Sequence, residues 1–177
     1  MYTVIDIETT GFYPEQGHEI TEIAGINVDD NGNVITSFSS LAQIQGNVSK
    51  FIEDLTGINN NMLKNAPKLS TVLLKFLYIL DIGNDTNLII HNAEFDYNFI
   101  MHYAKKLIPD KYIKKLEECN IICSLELARK VLPNQSHKLE DLKKRFGINT
   151  KSHRALNDVL VTNKIYKELL KIENSQK

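Results

Sequence analysis

What the chain lacks narrows it first. No apolar run approaches the roughly 20 residues that cross a membrane, so no membrane partner is expected. The opening residues, MYTVIDIE, have no basic region, apolar stretch or cleavage site, which points away from a leader and toward the cytoplasm. There is no internal repeat, low-complexity tract or credible linker. Cysteine is scarce, with only Cys119 and Cys123 present. Read as a strand, CNIIC puts both thiols on one face but too far apart to bridge, and no histidine stands beside them to complete a zinc site. Both are expected to be buried free thiols. A strong charge of either sign is also missing, the formal net charge being −1.

What is present fits one domain. The 177 residues suffice for a single buried core, expected over residues 1–172 with residues 173–177 frayed. Residues 2–8 alternate as a strand, with Thr3, Ile5 and Ile7 on one side and Val4, Asp6 and Glu8 on the other. A second strand spans His18–Val28, and an Asp-Asp-Asn-Gly turn leads to a third from Val34 to Ile44, completing an antiparallel meander. The period then becomes helical over Val48–Leu55 and Ser70–Leu80, with a loop from Thr56 to Leu69 between them. A short buried strand at Leu88–His91 precedes a helix over Glu94–Leu107. Another helix follows Pro109, then a strand at Ile121–Ile122 and helices over Leu125–Leu132, Leu139–Phe146 and Ala155–Ile172. Gly147 suits the C-terminal cap of the helix before it. The fold class is therefore α/β, with one mixed sheet flanked by helices.

Three stretches carry the chemistry: Asp6-Ile7-Glu8 in VIDIETTG, Asp96 in HNAEFD, and His153 with Asp158 in HRALND. Four acids in partly apolar surroundings repel one another and lose hydration, so a cation is expected to compensate them. Oxygen-only donors select hard divalent ions, Mg²⁺ or Mn²⁺. Two such ions would take the formal charge from −1 to +3. Asp6 and Glu8 project together from a rigid strand. Asp96 near a helix start also suits a capping role. His153 and Asp158 would stand about 140° apart on one helix, so they converge only if His153 lies in the entering loop, with Ser152 and Lys151, and Asp158 in the second turn. From Lys138 to Arg154 the chain places Lys138, Lys143, Lys144, Arg145, Lys151 and Arg154 against Glu140 and Asp141. This stretch is either a guide for a phosphate backbone or a solvated helix face.

Together the stretches resemble the DnaQ-like DEDDh exonucleases, the group that includes proofreading subunits of bacterial replicative polymerases. DIETTG is similar to that family's opening motif, HNAEFDYNFI to its second, and HRALND to its third. The tyrosine branch of the superfamily would carry Tyr where Arg154 stands. LTGI at Leu55–Ile58, CSLELAR at Cys123–Arg129 and LEDL at Leu139–Leu142 also look like family segments. One departure is Cys123, where the family often has Asp; a packing change is expected there.

The resemblance implies an RNase H-like sheet of five strands, three in an antiparallel meander and two parallel. It also implies two Mg²⁺ or Mn²⁺ ions held by Asp6, Glu8, Asp96 and Asp158, with His153 accepting a proton from the attacking water. Backbone groups at Thr9, Thr10 and Gly11 would hold the terminal sugar. Phe95, Leu55 and Ile58 would meet the last bases, with Phe12 a weaker candidate and a plain core role open for Phe95. The implied substrate is a single-stranded 3′ end, DNA ahead of RNA, with a non-catalytic binding module as the competing reading. Little chain follows the last helix to tether a DNA polymerase, so a free-standing enzyme or a loosely held polymerase partner is expected. A homodimer is compatible with the resemblance.

Overall fold

The meander comprises β1 (Tyr2–Thr9), β2 (Ile20–Val28) and β3 (Val34–Leu41), and β4 (Asn87–Ile90) and β5 (Asn120–Cys123) follow later in the chain. In the computed structural model, which describes residues 1–83, 86–150 and 153–176, they form one sheet in the order β3-β2-β1-β4-β5. β1 pairs antiparallel with β2, and β2 with β3, while β1–β4 and β4–β5 are parallel. This is the expected mixed sheet, and β1 lies at its centre. The helices are α1 (Lys50–Thr56), α2 (Asn60–Lys64), α3 (Leu69–Ile79), α4 (Ala93–Leu107), α5 (Asp110–Glu117), α6 (Ser124–Val131), α7 (Leu139–Arg145) and α8 (Ala155–Ser175).

Strand alternation sorts the core onto two faces. Ile5, Ile7, Ile23 and Phe38 pack with Phe76 of α3 and Phe99 of α4. Val4, Ala24, Ile26 and Ile89 point the other way, against Ala155, Val159 and Tyr166 of α8. All nine residues of β2 are buried, because helices cover both faces of the sheet there. Among them Glu22 is the only charged residue. Among the described residues no helix is long and apolar enough to cross a membrane.

Several expectations change. The segment from Thr56 to Leu69, read as a loop, contains α2, whose first turn is capped by Asn59 Oδ1 accepting from the Met62 N–H at 3.0 Å. Its five residues are too few to show a period. β2 starts at Ile20 rather than His18, and β3 stops at Leu41 rather than Ile44. α8 runs past Ile172 to Ser175; Lys130 Nζ meets Glu173 Oε1 at 2.7 Å and Gln176 Nε2 donates to the Val131 carbonyl at 3.2 Å. The cysteines are free but half-buried rather than buried, and burial pushes the Cys119 thiol up to about 11. Gly147, at φ +63°, closes α7 as expected. Lys151, Ser152 and Lys177 lie outside the described residues.

Candidate active site

Three chain segments converge at one end of β1. Asp6 and Glu8 alternate onto the α8 side of the sheet, and α8 brings Asp158 to them. A carboxylate oxygen from each of Asp6, Glu8 and Asp158 lies within 4.8 Å of the other two. Asp158 sits in the first turn of α8, not the second, because the helix begins only at Ala155. Asp96 sits in the first turn of α4, buried, with Oδ1 accepting the Ile7 N–H at 3.1 Å. It lies outside the tight trio but lines the same cavity. That cavity is about 380 Å³ and is lined also by His153, His91, Phe95, Leu139 and Glu140.

The electrostatics are those of a site built around positive charge. Burial, then repulsion from Asp96, Asp158, Glu8 and Glu22, holds the Asp6 carboxyl well above the usual range. Burial and neighbouring acids push Glu8 up to about 8. Asp96 also rises to about 8, chiefly through burial, although the Ile7 N–H opposes the shift. Asp158 rises to about 6 for the same main reason. Its Oδ2 accepts the His153 N–H at 2.9 Å, but its buried Oδ1 has no hydrogen-bond partner among the described residues. A buried acceptor left unpaired is costly. Hard oxygen donors, raised carboxyls and one unsatisfied oxygen together fit a divalent cation.

His153 is exposed, with a left-handed backbone at φ +64°. That turn, two residues before α8, lets His153 and Asp158 meet despite their spacing. The remaining candidates divide. Thr9 Oγ1 donates to the Gly11 carbonyl at 2.6 Å, and the Thr10 N–H donates to the Glu19 carbonyl at 2.9 Å. The Thr10 amide is thus committed within the protein. Gly11 lies against the His18 ring, whose atoms come within 2.4 Å of where a Cβ would stand, so a larger residue would displace one or the other. Phe12 is 70% exposed and shares with Phe95 a pocket of about 200 Å³ beside the main cavity. Phe95 lines both and packs on Phe99 at 5.0 Å, so it belongs to the core and to the groove. Leu55 is partly exposed, whereas Ile58 is fully buried with Val48 and Leu63 and supports its loop from beneath.

The basic stretch is not one open stripe. Arg154 turns inward to Glu22, Lys143 meets Glu140 and Arg145 donates to Gln135. Lys138 lines a second cavity that shares His91, Asn92 and Leu139 with the first. Three residues contribute in ways that the sequence reading did not give. His91 has Nε2 facing the His137 carbonyl at 3.1 Å, so this nitrogen carries the proton and Nδ1 accepts from Ser124 Oγ at 2.9 Å. Burial lowers its pKa to about 4, which keeps it neutral. Cys123 Sγ accepts the first amide of α4, from Ala93, at 3.5 Å, a polar contact rather than simple packing. Glu22 is the third. A lone acid in the apolar run ITEIAGINV was the available signal, since a buried charge requires a partner.

A family model for exonucleases, the RNase T family, matches residues 3–166. The chain belongs to the exonuclease family. Its DnaQ-like character also appears in the DNA polymerase III subunit epsilon of Buchnera aphidicola subsp. Baizongia pistaciae (strain Bp), 34% identical over 92% of this chain and 66% of that one. The exonuclease has the fold of E. coli Exonuclease I in complex with a dT13 oligonucleotide, with a TM-score of 0.82 at 18% identity over 99% of this chain and 42% of that one. It also shares the fold of the nuclease domain of 3'hExo, a DEDDh family member bound to rAMP, with a TM-score of 0.77 at 21% identity over 96% of this chain and 91% of that one. The chain spans from 11% to 72% of the length of curated relatives that it matches.

Proposed function

We propose that residues 1–172 form a single domain that hydrolyses the terminal phosphodiester of a single-stranded 3′ end, DNA in preference to RNA, releasing nucleoside 5′-monophosphates. The observation that carries this reading is the trio of Asp6, Glu8 and Asp158 oxygens within 4.8 Å, in a cavity that also holds Asp96 and His153. These four carboxylates would hold two divalent ions, Mg²⁺ or Mn²⁺. When bound, the ions supply charge stabilisation to the scissile phosphate and make water a better nucleophile. His153 takes the proton from the attacking water. Asp158 fixes the backbone of His153 through its amide, and Phe12, Phe95 and Leu55 offer apolar surface to the last bases. DNA is favoured because a relative at 34% identity is a DNA polymerase subunit; by the same likeness, a polymerase is the partner to look for.

The test is digestion of 3′-labelled and 5′-labelled single-stranded DNA with Mg²⁺, Mn²⁺ or EDTA, beside RNA of the same sequence. Metal-dependent release of mononucleotides from the 3′ end of DNA is the expected result. Faster loss of RNA reverses the substrate assignment. No cleavage with any metal overturns the enzymatic reading in favour of a binding module.

A further inference from the structure

Glu22 is directly opposite Glu8 in the β1–β2 register and projects from the same face of the sheet. It has no place in the carboxylate trio because its oxygens are already taken. Oε2 accepts Arg154 Nε at 2.9 Å and the Ala155 N–H at 3.1 Å. Oε1 accepts the Arg154 terminal nitrogen at 2.8 Å and Ser39 Oγ at 3.4 Å. The guanidinium–carboxylate contact is a two-pronged fork, strong and directional. Glu22 is buried to 2% exposure, so one end of the fork is anchored in the sheet, while the Arg154 side chain is 42% exposed.

Two of the groups that Glu22 accepts from follow His153 closely in the chain. Arg154 follows it directly, and Ala155 is the first residue of α8. First-turn amides have no acceptor within their own helix, and Arg154, the residue before α8, makes no side-chain cap. Glu22 supplies that cap from another strand. On the other side, Asp158 holds the His153 amide. The left-handed backbone of His153, uncommon for a residue other than glycine, is thus held from both sides.

We infer that the Glu22–Arg154 fork is a positioning clamp: it ties the His153 turn to the strand beside Glu8, so that the proton acceptor keeps its distance from the carboxylate trio. Neither clamp residue touches substrate or takes part in proton transfer. The inference rests on the exonuclease reading for its catalytic consequence but not for its structural one. A displacement of about 1 Å at a catalytic group costs on the order of 100-fold in rate.

The decisive variant is the double replacement Glu22→Met with Arg154→Met. A buried ion pair exchanged for apolar groups of similar volume commonly costs little stability, while the Ala155 amide loses its cap, so this protein should stay folded and melt only modestly below wild type. Turnover of single-stranded DNA with Mn²⁺ should fall by roughly 10- to 100-fold with KM little changed. Arg154→Lys, which keeps the charge but not the fork, should fall between. The Ala155 amide should be protected from hydrogen exchange in wild type, unlike an ordinary first-turn amide, and lose that protection in the double variant. If the double variant melts early, Arg154→Lys, which leaves Glu22 a cationic partner, takes its place in the rate measurements. An active wild type whose variants keep full kcat, or a wild-type Ala155 amide that exchanges freely, overturns the clamp alone. An inactive wild type overturns the exonuclease reading and the clamp's catalytic role, while the exchange measurement still decides the structural one.

Discussion

The amide of Ile7 donates to Asp96 Oδ1 at 3.1 Å, so the strand that carries Asp6 and Glu8 directly orients the carboxylate contributed by α4. The first two acidic stretches are joined before any cation binds. Their distance is set by β1 pairing parallel with β4, which leads through a tight turn into α4. Asp96 thus has a structural task and a charge problem together.

Asp96→Asn should separate the two. Asparagine can still accept from Ile7 through its amide oxygen while removing one of the mutually repelling charges. The metal-free variant should therefore melt higher than wild type at pH 8, whereas activity with Mn²⁺ should fall by at least about 100-fold, the scale of losing one electrostatic partner of a transition state. Thermal melts in EDTA beside digestion rates check this. A variant that is both less stable and inactive would show that the carboxylate charge, not only its hydrogen bond, supports the fold.

Replacing His153 should act differently from replacing Asp6. His153→Ala removes the proposed proton acceptor and leaves the carboxylate trio intact, so Mn²⁺ binding by calorimetry should persist while kcat falls by roughly 100- to 10,000-fold. Asp6→Ala should weaken both Mn²⁺ binding and turnover. Near-normal nuclease rates in either variant exclude these roles.

The sheet and most helices were legible because apolar periodicity is a local signal: Thr3, Ile5 and Ile7 against Val4, Asp6 and Glu8 already give the two faces of β1. Asp6 and Glu8 were legible from their alternation along β1, whereas Asp96 and Asp158, which lie on helices, were legible through the stretches HNAEFD and HRALND. The fork between Glu22 and Arg154 was not, since a contact across 132 positions has no period to betray it. Ile58 misled for a related reason. Its neighbour Leu55 is exposed, but α2, too short to leave a pattern, folds Leu63 against Ile58 and buries it.

Phe12 offers a cleaner probe of base contact than Phe95. Its ring is 70% exposed, so Phe12→Ala should leave the melting temperature within about 1 °C of wild type, as surface changes generally do little. If a base stacks there, KM for oligonucleotides should rise by roughly 5- to 150-fold, matching about 1–3 kcal/mol per stacked base. Phe95→Ala should raise KM and lower stability together, because it also loses the Phe99 contact. Unchanged KM in Phe12→Ala would remove that residue from the substrate groove.

The pH dependence of the metal-free protein follows from the carboxyls and from His91, which act in opposite directions. Glu8 and Asp96 have pKa values raised to about 8, so the folded state binds more protons than the unfolded chain from their ordinary range near 4 up to about 8. Stability must fall with rising pH across that interval. His91 is lowered from 6.5 to about 4, so the unfolded chain binds more protons between those values and stability there rises with pH. The two trends oppose each other below pH 6.5, and only the carboxyls remain above it. In EDTA the melting temperature should therefore decline from pH 6.5 to pH 8.5. Saturating Mn²⁺ should reduce or abolish the decline, because the cation favours the ionised carboxylates and its binding releases their protons. Calorimetric titrations at pH 7 in buffers of different ionisation heat should register that release. A flat melting profile in EDTA, with no proton release on Mn²⁺ addition, would mean that these acids are already ionised and compensated without a metal.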